Sequence, residues 1–134
     1  MVADQIRVVA AVISRGDTLL MCQRPTHKRH GGLWEFPGGK CEPGESDADA
    51  IRRELAEELC VETASVGDAQ FDVADPDSPY LIVFHPVSIL GEPRAVEHTA
   101  IAWATPEHLL RLALAPSDRR YLEWRIPPPT NTPS

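Results

Sequence analysis

The sequence predicts an α/β protein in which a mixed β-sheet packs between α-helices. Segments rich in Val, Ile and Leu recur along most of the chain, and turn residues separate them. Residues 48–59, in the middle of this series, have helical spacing instead, and two further helical segments follow near the C-terminus. Strands interspersed with a few helices are typical of a sheet covered by helices.

The predicted strands begin with a pair near the N-terminus. Ile6–Ile13 has the Val, Ile and Ala content of a buried strand, and the turn Arg15-Gly16-Asp17 leads into the second strand. Residues 80–90 have strong strand composition, although Pro86 indicates a bulge or an edge position. The segment 64–73 is a weaker candidate. The predicted strands are residues 6–13, 18–23, 34–36, 64–73, 80–90 and 100–104, and the predicted loops and turns are 25–32, 37–39 and 75–79.

The first predicted helix spans Ala48–Leu59. Ser46 is a good N-cap, and the segment contains no Gly, Pro or Val. Ile51, Leu55 and Leu59 recur every four residues and form one apolar stripe, which we expect to pack on the sheet.

Two shorter helices are predicted near the C-terminus. Residues 106–112 begin with Pro106 in the first turn, and residues 117–125 begin with Ser117 as N-cap. The last residues, 127–134, are rich in Pro, Thr and Ser, which predicts a disordered tail. We therefore expect a single domain over residues 1–126.

Three carboxylates share one face of the first helix. Glu54, Glu57 and Glu58 are spaced i, i+3 and i+4, so they repel one another near the helix C-terminus, where the dipole also disfavours anions. A bound cation would offset this cost, and hard oxygen ligands favour Mg²⁺ or Mn²⁺ over Zn²⁺. For such a spacing alone, the common alternative is a solvated acidic face that Arg52 and Arg53 partly neutralise.

The segment around this helix resembles the Nudix box, and the matching residues are Gly39, Glu45, Arg53, Glu54, Leu55, Glu57, Glu58 and Val61. Cys60 departs from the pattern because the family has glycine there, where the chain leaves the helix in a left-handed conformation. The runs 34–40, 97–107 and 114–118 are similar to those of MutT-like nucleoside triphosphate pyrophosphohydrolases. The resemblance implies an α/β/α sandwich, the Nudix fold.

The resemblance also implies a set of metal ligands. These are Glu54, Glu57 and Glu58, the carbonyl of Gly38, and a helper carboxylate on a later loop that best matches Glu97. Glu54 and Glu97 both remain candidates for the general base.

Other residues are expected to support the catalytic groups or to bind substrate. Arg53 would pair with Glu45, fixing the loop against the helix, and could orient Glu57 or Glu58. The implied substrate-binding residues are Arg24 and Lys40 for phosphate, Gly39 in the turn, and Phe36 and Asp118 for the base. Phe36 could equally be an ordinary core residue, and Asp118 an acid at a helix start. Of the histidines, His98 is the one expected to border the site.

Charge and composition agree with a small enzyme acting on polyphosphates. The 134 residues carry a formal net charge of −7 and no Lys/Arg cluster, which argues against nucleic-acid binding. Cys22, Cys41 and Cys60 are too widely spaced for a zinc knuckle or a redox pair, so we expect free thiols. Without a basic-then-apolar leader or a membrane-length apolar run, the expected location is cytoplasmic, as a monomer or a homodimer.

Three functions are compatible with these features. The first is Mg²⁺-dependent hydrolysis of a nucleoside triphosphate to nucleoside monophosphate and pyrophosphate, with 8-oxo-dGTP or a CTP/dCTP-type nucleotide as substrate. The alternative is a Nudix hydrolase of another nucleoside diphosphate derivative, such as ADP-ribose or a dinucleotide polyphosphate. The third is a degenerate, non-catalytic module that binds a nucleotide or a protein.

Overall fold

The computed structural model describes residues 5–126, and the predicted tail at 127–134 lies outside them. The strands are β1 (Ile6–Arg15), β2 (Thr18–Gln23), β3 (Trp34–Glu35), β4 (Gly38–Lys40), β5 (Glu62–Val66), β6 (Phe71–Ala74), β7 (Tyr80–Leu90) and β8 (Ala100–Ala104). The helices are α1 (Asp47–Leu59), α2 (Pro106–Leu109) and α3 (Pro116–Arg125). No helix in the described range is long and apolar enough to cross a membrane.

Strand β1 lies at the centre of a mixed sheet. It pairs in parallel with β7 along Ile6–Ile13 and antiparallel with β4 along Val8–Ala10. Its end forms a hairpin with β2, which in turn pairs antiparallel with β3 and β8. The other edge of β7 carries β5 and β6. The sheet therefore combines parallel and antiparallel pairs, as the sequence predicted.

Each face of the sheet is covered by helix. The apolar stripe of α1, with Ile51 and Leu55 fully buried, packs against alternate residues of β1 and β2. The opposite face packs against α2 and α3, with Leu109 and Tyr121 at its centre. The predicted α/β/α arrangement is confirmed.

Helix α1 begins and ends as its sequence predicts. The Ser46 hydroxyl accepts a hydrogen bond from the Asp49 backbone N–H at 3.1 Å, which confirms the N-cap. After Leu59 the chain turns through Cys60, whose φ of 55° is left-handed. Cys60 therefore adopts the strained conformation usually left to glycine.

Three strand predictions were incomplete. Gly38 and Gly39, predicted as part of a turn at 37–39, belong to strand β4, because β4 finds a partner in β1. The segment 64–73 divides into β5 and β6, since residues 67–70 leave the ladder opposite Pro86. Pro86 lies in the interior strand β7, neither at an edge nor at a bulge of β7. Its missing N–H falls at this interruption, while its carbonyl accepts from Gly67 N–H at 2.8 Å.

Both C-terminal helices differ from their predicted starts or ends. Helix α2 ends at Leu109, three residues early, after the Thr105 side chain caps its start. Helix α3 begins at Pro116 with Ala115 as N-cap, so Ser117 is not the cap. Ala115 is held instead by a backbone hydrogen bond to Trp34 at 2.9 Å, and the fixed φ of proline suits the first helical position.

Candidate active site

Two glycines of β4 let this strand approach β1 and α1 closely. A Cβ atom on Gly38 would collide with the Val9 carbonyl, and one on Gly39 would collide with the Glu54 carboxylate. Gly38 therefore requires glycine, because its clash is with backbone, whereas a side chain at Gly39 would have to displace the Glu54 carboxylate. The result is a narrow contact between strand β4 and the acidic face of the helix.

Glu58 is buried at this contact, with 7% of its surface exposed. Its Oε2 accepts a long hydrogen bond, 3.4 Å, from the Gly38 backbone N–H. Burial, and then the negative charges of Glu54 and Glu35, raise the pKa of Glu58 to about 9. A buried carboxylate beside a second one, with only this long hydrogen bond to stabilise its charge, fits a site for a divalent cation.

The remaining predicted ligands are not yet assembled with this pair. The Glu57 side chain is 53% exposed and lies 3.6 Å from the Arg53 guanidinium. Glu97 is exposed and lines the rim of the adjacent cavity. Across residues 5–126, no three acidic, His or Cys side chains converge on a ready-made ion site. The structure thus brings Glu54 and Glu58 together, and leaves Glu57 and Glu97 outside that pair.

Arg53 connects the loop before α1 to the acidic face. Its Nε and Nη2 donate to both oxygens of Glu45 at 2.9 Å, and Nη1 donates to Glu54 Oε1 at 2.9 Å. Nη2 also donates to the Lys40 carbonyl at 3.0 Å. The two hydrogen bonds from Arg53 to Glu45 lower the pKa of Glu45 to about 2. The predicted Arg53–Glu45 pair is confirmed, and Arg53 contacts Glu54 and Glu57 rather than Glu58.

A cavity of about 480 Å³ opens beside this contact. Residues from β3, β4, α1, the 91–99 loop and the start of α3 line it. Of the sequence-predicted site residues, those that line it are Arg24, Phe36, Gly38, Gly39, Lys40, Glu58, Glu97 and Asp118. One cavity therefore joins the glycine–glutamate contact to the residues expected to bind a base.

Phe36 and Asp118 meet on one wall of the cavity. The Phe36 backbone N–H donates to Asp118 Oδ1 at 3.4 Å. Burial raises the pKa of Asp118 well above its usual value, and the charge of Glu35 adds to the effect. The Phe36 ring is only 4% exposed and makes edge-to-face contacts with Phe84 and Tyr121. Phe36 is thus both a core residue and part of the cavity wall.

The two cations expected to bind phosphate already have partners within the protein. Arg24 Nη1 donates to Glu35 Oε1 at 3.1 Å, and its Nε donates to the Arg29 carbonyl. The Lys40 ammonium lies 4.9 Å from the centre of the Tyr80 ring. Both cations remain at the cavity, where they offset part of its acidic lining.

Residues 4–125 match the family described as the NUDIX domain. The chain belongs to the Nudix family. It is 43% identical to the CTP pyrophosphohydrolase of Escherichia coli (strain K12) over 121 residues, which cover 88% of this chain and 89% of that one. It is 41% identical over 118 residues to a Mycobacterium tuberculosis protein with the provisional name 8-oxo-dGTP diphosphatase 2, covering 86% and 84%.

Solved Nudix structures share the fold. The solution structure of the E. coli ORF135 protein superposes with a TM-score of 0.78 at 39% identity, covering 96% of each chain. The crystal structure of a MutT NUDIX hydrolase from Burkholderia pseudomallei also gives a TM-score of 0.78, at 26% identity, covering 90% of this chain and 98% of that one. The predicted Nudix fold and MutT-like relationship are confirmed, and the protein is a Nudix hydrolase. Such enzymes act on nucleotides and generally use divalent metal ions.

Sequence reasoning missed one residue of this Nudix site. Glu35 lines the cavity, accepts hydrogen bonds from Arg24 and from His98 Nε2, the latter at 3.0 Å, and lies close enough to raise the pKa values of Glu58 and Asp118. A carboxylate within a short strand just before the glycines was an available signal. His98, expected to border the site, does line it.

Proposed function

We propose that this Nudix hydrolase cleaves a nucleoside triphosphate to a nucleoside monophosphate and pyrophosphate, with Mg²⁺ as cofactor and Mn²⁺ as a substitute. One observation carries the proposal. Glu58, which lies beside Glu54, and the two β4 glycines line the same cavity as Phe36 and Asp118. A polyphosphate and a base can therefore be held at once.

The ion would be held by the carboxylates of Glu54, Glu57, Glu58 and Glu97 and by the carbonyl of Gly38. When bound, it supplies charge neutralisation at the phosphates and a more acidic water. Buried Glu58 and its part-exposed neighbour Glu54 support this ligand set, because a cation would relieve the repulsion between them. Glu57 and Glu97 are exposed, so both side chains are free to turn inward.

The chain's own groups supply proton transfer and orientation. Glu54 Oε1 is engaged by Arg53, whereas Glu97 stands at the open rim, which favours Glu97 as general base. Glu97 takes a proton from a water whose oxygen forms a bond to a phosphorus of the chain, as the P–O bond that joins the nucleoside monophosphate to pyrophosphate breaks and the two products separate. Arg53 and Glu45 hold Glu54 in place, and Arg24 and Lys40 offset charge along the phosphates.

Asp118 supports a cytosine-type base as the first choice. A buried, protonated carboxyl can donate to cytosine N3 and accept from the N4 amino group, whereas an ionised carboxylate suits the two adjacent N–H donors of a guanine edge. The pKa of Asp118 is raised, which favours the protonated form. The relative named CTP pyrophosphohydrolase adds support. CTP or dCTP therefore ranks first, and 8-oxo-dGTP second.

The test is pyrophosphate release with Mg²⁺ from CTP, dCTP, 5-methyl-dCTP, dGTP and 8-oxo-dGTP, with ADP-ribose as a comparison. We expect one triphosphate to be preferred by at least tenfold in kcat/KM. Turnover of ADP-ribose alone would move the chain to the alternative class of Nudix substrates. Tight nucleotide binding without turnover of any compound would favour the non-catalytic interpretation.

The metal assignment has its own matched pair of variants. Glu57→Gln removes one proposed ligand charge from α1, and we expect turnover to fall at least a hundredfold. Glu123→Gln makes the same chemical change at an exposed position of α3 and should leave turnover unchanged. Activity of Glu57→Gln equal to that of Glu123→Gln would refute the ligand set.

A further inference from the structure

We propose that His98 is a positioning residue: its imidazole ties the loop that carries Glu97 to strand β3 and so holds Glu97 over the cavity. The proposal rests on the proposed function in one respect, the role of Glu97 in turnover. It adds a residue that acts through Glu97 rather than on the nucleotide.

The 91–99 loop joins β7 to β8 without regular secondary structure, and most of it is exposed. Two backbone hydrogen bonds hold the part around Glu97. Val96 N–H donates to the Glu58 carbonyl at 3.1 Å, on the last turn of α1. Thr99 N–H donates to the Gln23 carbonyl at 2.9 Å, at the end of β2. These bonds fix the loop on either side of Glu97, but neither involves the backbone of Glu97 or of His98.

His98 supplies the side-chain tether at this point. Its Nε2 lies 3.0 Å from Glu35 Oε2, and because a carboxylate only accepts, Nε2 carries the hydrogen. Glu35 is held in turn by Arg24 on the neighbouring chain segment. The tether therefore ends on a side chain that is itself fixed, within the same cavity that Glu97 lines.

Packing alone does not account for an imidazole at this position. The His98 side chain is only 6% exposed, and its Nδ1 is buried without a hydrogen-bond partner. An apolar ring could fill the same space without leaving a polar nitrogen unsatisfied. What the imidazole adds is the single hydrogen bond to Glu35, which sets the orientation of the residue next to Glu97.

This arrangement predicts a specific kinetic pattern. Loss of the tether leaves both backbone bonds and the core intact, so the fold should persist. Glu97 would then sample positions away from the cavity, and kcat should fall about tenfold to a hundredfold, as for residues that orient a functional group. KM for the nucleotide should change less than twofold, because His98 Nε2 is bonded to Glu35 and Nδ1 is buried, which leaves neither nitrogen available to a nucleotide.

The first measurement is independent of activity. Hydrogen–deuterium exchange of a peptide covering residues 94–99 should be at least fivefold faster in His98→Phe than in the wild type. The Glu123→Gln protein is the control and should exchange at the wild-type rate. Unchanged exchange in His98→Phe, with the fold confirmed by circular dichroism, would overturn the tether whatever the enzyme's substrate is.

The second measurement is a double-mutant cycle on kcat with His98→Phe, Glu97→Gln and the pair. If His98 acts through Glu97, substituting it in the Glu97→Gln background should change kcat less than twofold. His98→Gln, which keeps an N–H donor, should recover most of the activity. Equal fold-losses in both backgrounds, or a loss expressed mainly in KM, would overturn the positioning role. Wild-type kcat in Glu97→Gln would overturn both this role and the proposed base.

Discussion

Replacing Glu58 by Gln should make the metal-free protein more stable at neutral and alkaline pH. Glu58 is buried against Glu54 and Glu35, and its pKa is raised to about 9. The folded protein must therefore either keep a proton on Glu58 or carry an uncompensated buried charge. Glutamine has nearly the same shape as glutamate but needs no proton and carries no buried charge. Its amide can donate to the Glu54 carboxylate.

The sign and size of the expected pH effect on the free energy of unfolding follow from proton linkage. Between the ordinary pKa of 4.5 and about 9, the folded state holds a proton on Glu58 that the unfolded state has released. The free energy of unfolding then falls as pH rises, by at most about 1.4 kcal/mol per pH unit. From pH 6 to pH 8 this is about 2.7 kcal/mol, or about 8–10 °C in the melting temperature for a chain of this size. Asp118 contributes a slope of the same sign, so the difference between wild type and variant isolates Glu58.

The assay is thermal unfolding at pH 6 and pH 8 in EDTA, repeated with saturating Mg²⁺. We expect Glu58→Gln to lose most of the wild-type pH dependence in EDTA, and Mg²⁺ to stabilise only the wild type at pH 8. Glu57→Gln, on the same helix but half-exposed, should keep the wild-type slope. Equal pH dependence of the melting temperature in wild type and Glu58→Gln would refute the argument that Glu58 is a destabilising carboxylate suited to binding a cation.

Three further changes test other parts of the structure. Cys60→Gly should raise stability by about 1 kcal/mol in denaturant unfolding with activity retained, because glycine relieves the left-handed conformation; a loss of stability would contradict this. Gly39→Ala should lower kcat at least tenfold without unfolding, since its methyl group displaces the Glu54 carboxylate; unaltered kinetics would argue against the close contact. Asp47→Asn should lower stability above about pH 4, because hydrogen bonds from Arg7 lower the Asp47 pKa from 3.8 to about 2. The wild type should lose this contribution as pH falls from about 4 to about 2. Identical acid-unfolding curves for the two proteins would exclude this contribution.

Much of the fold was predictable because its signals are local. The bounds of β2, β7 and β8 are those predicted, since each apolar run is bounded by turn residues next to it in the chain. The N-cap of α1 depends on Ser46 and a backbone N–H three residues away. By contrast, β4 exists because β1 lies beside it, and no feature of Gly38–Lys40 alone distinguishes such a strand from a turn.

Some features of the candidate site also have local signals in the sequence. The spacing of Glu54, Glu57 and Glu58 alone predicts a shared acidic face, because a helix places residues three and four apart side by side. The sequence also identifies the Arg53–Glu45 pair, which spans one short loop and the first turns of the helix. These relations depend on covalent spacing and helical geometry.

Only the tertiary structure decided which of these charges are buried. It buries Glu58 and leaves Glu57 half-exposed, although they are adjacent in sequence, because β4 covers one side of the helix face. It also joins Glu35 to His98 across 63 residues of chain. Desolvation and through-space contact depend on how distant segments pack, so the perturbed carboxylates and the tether beside Glu97 became visible only in the folded molecule.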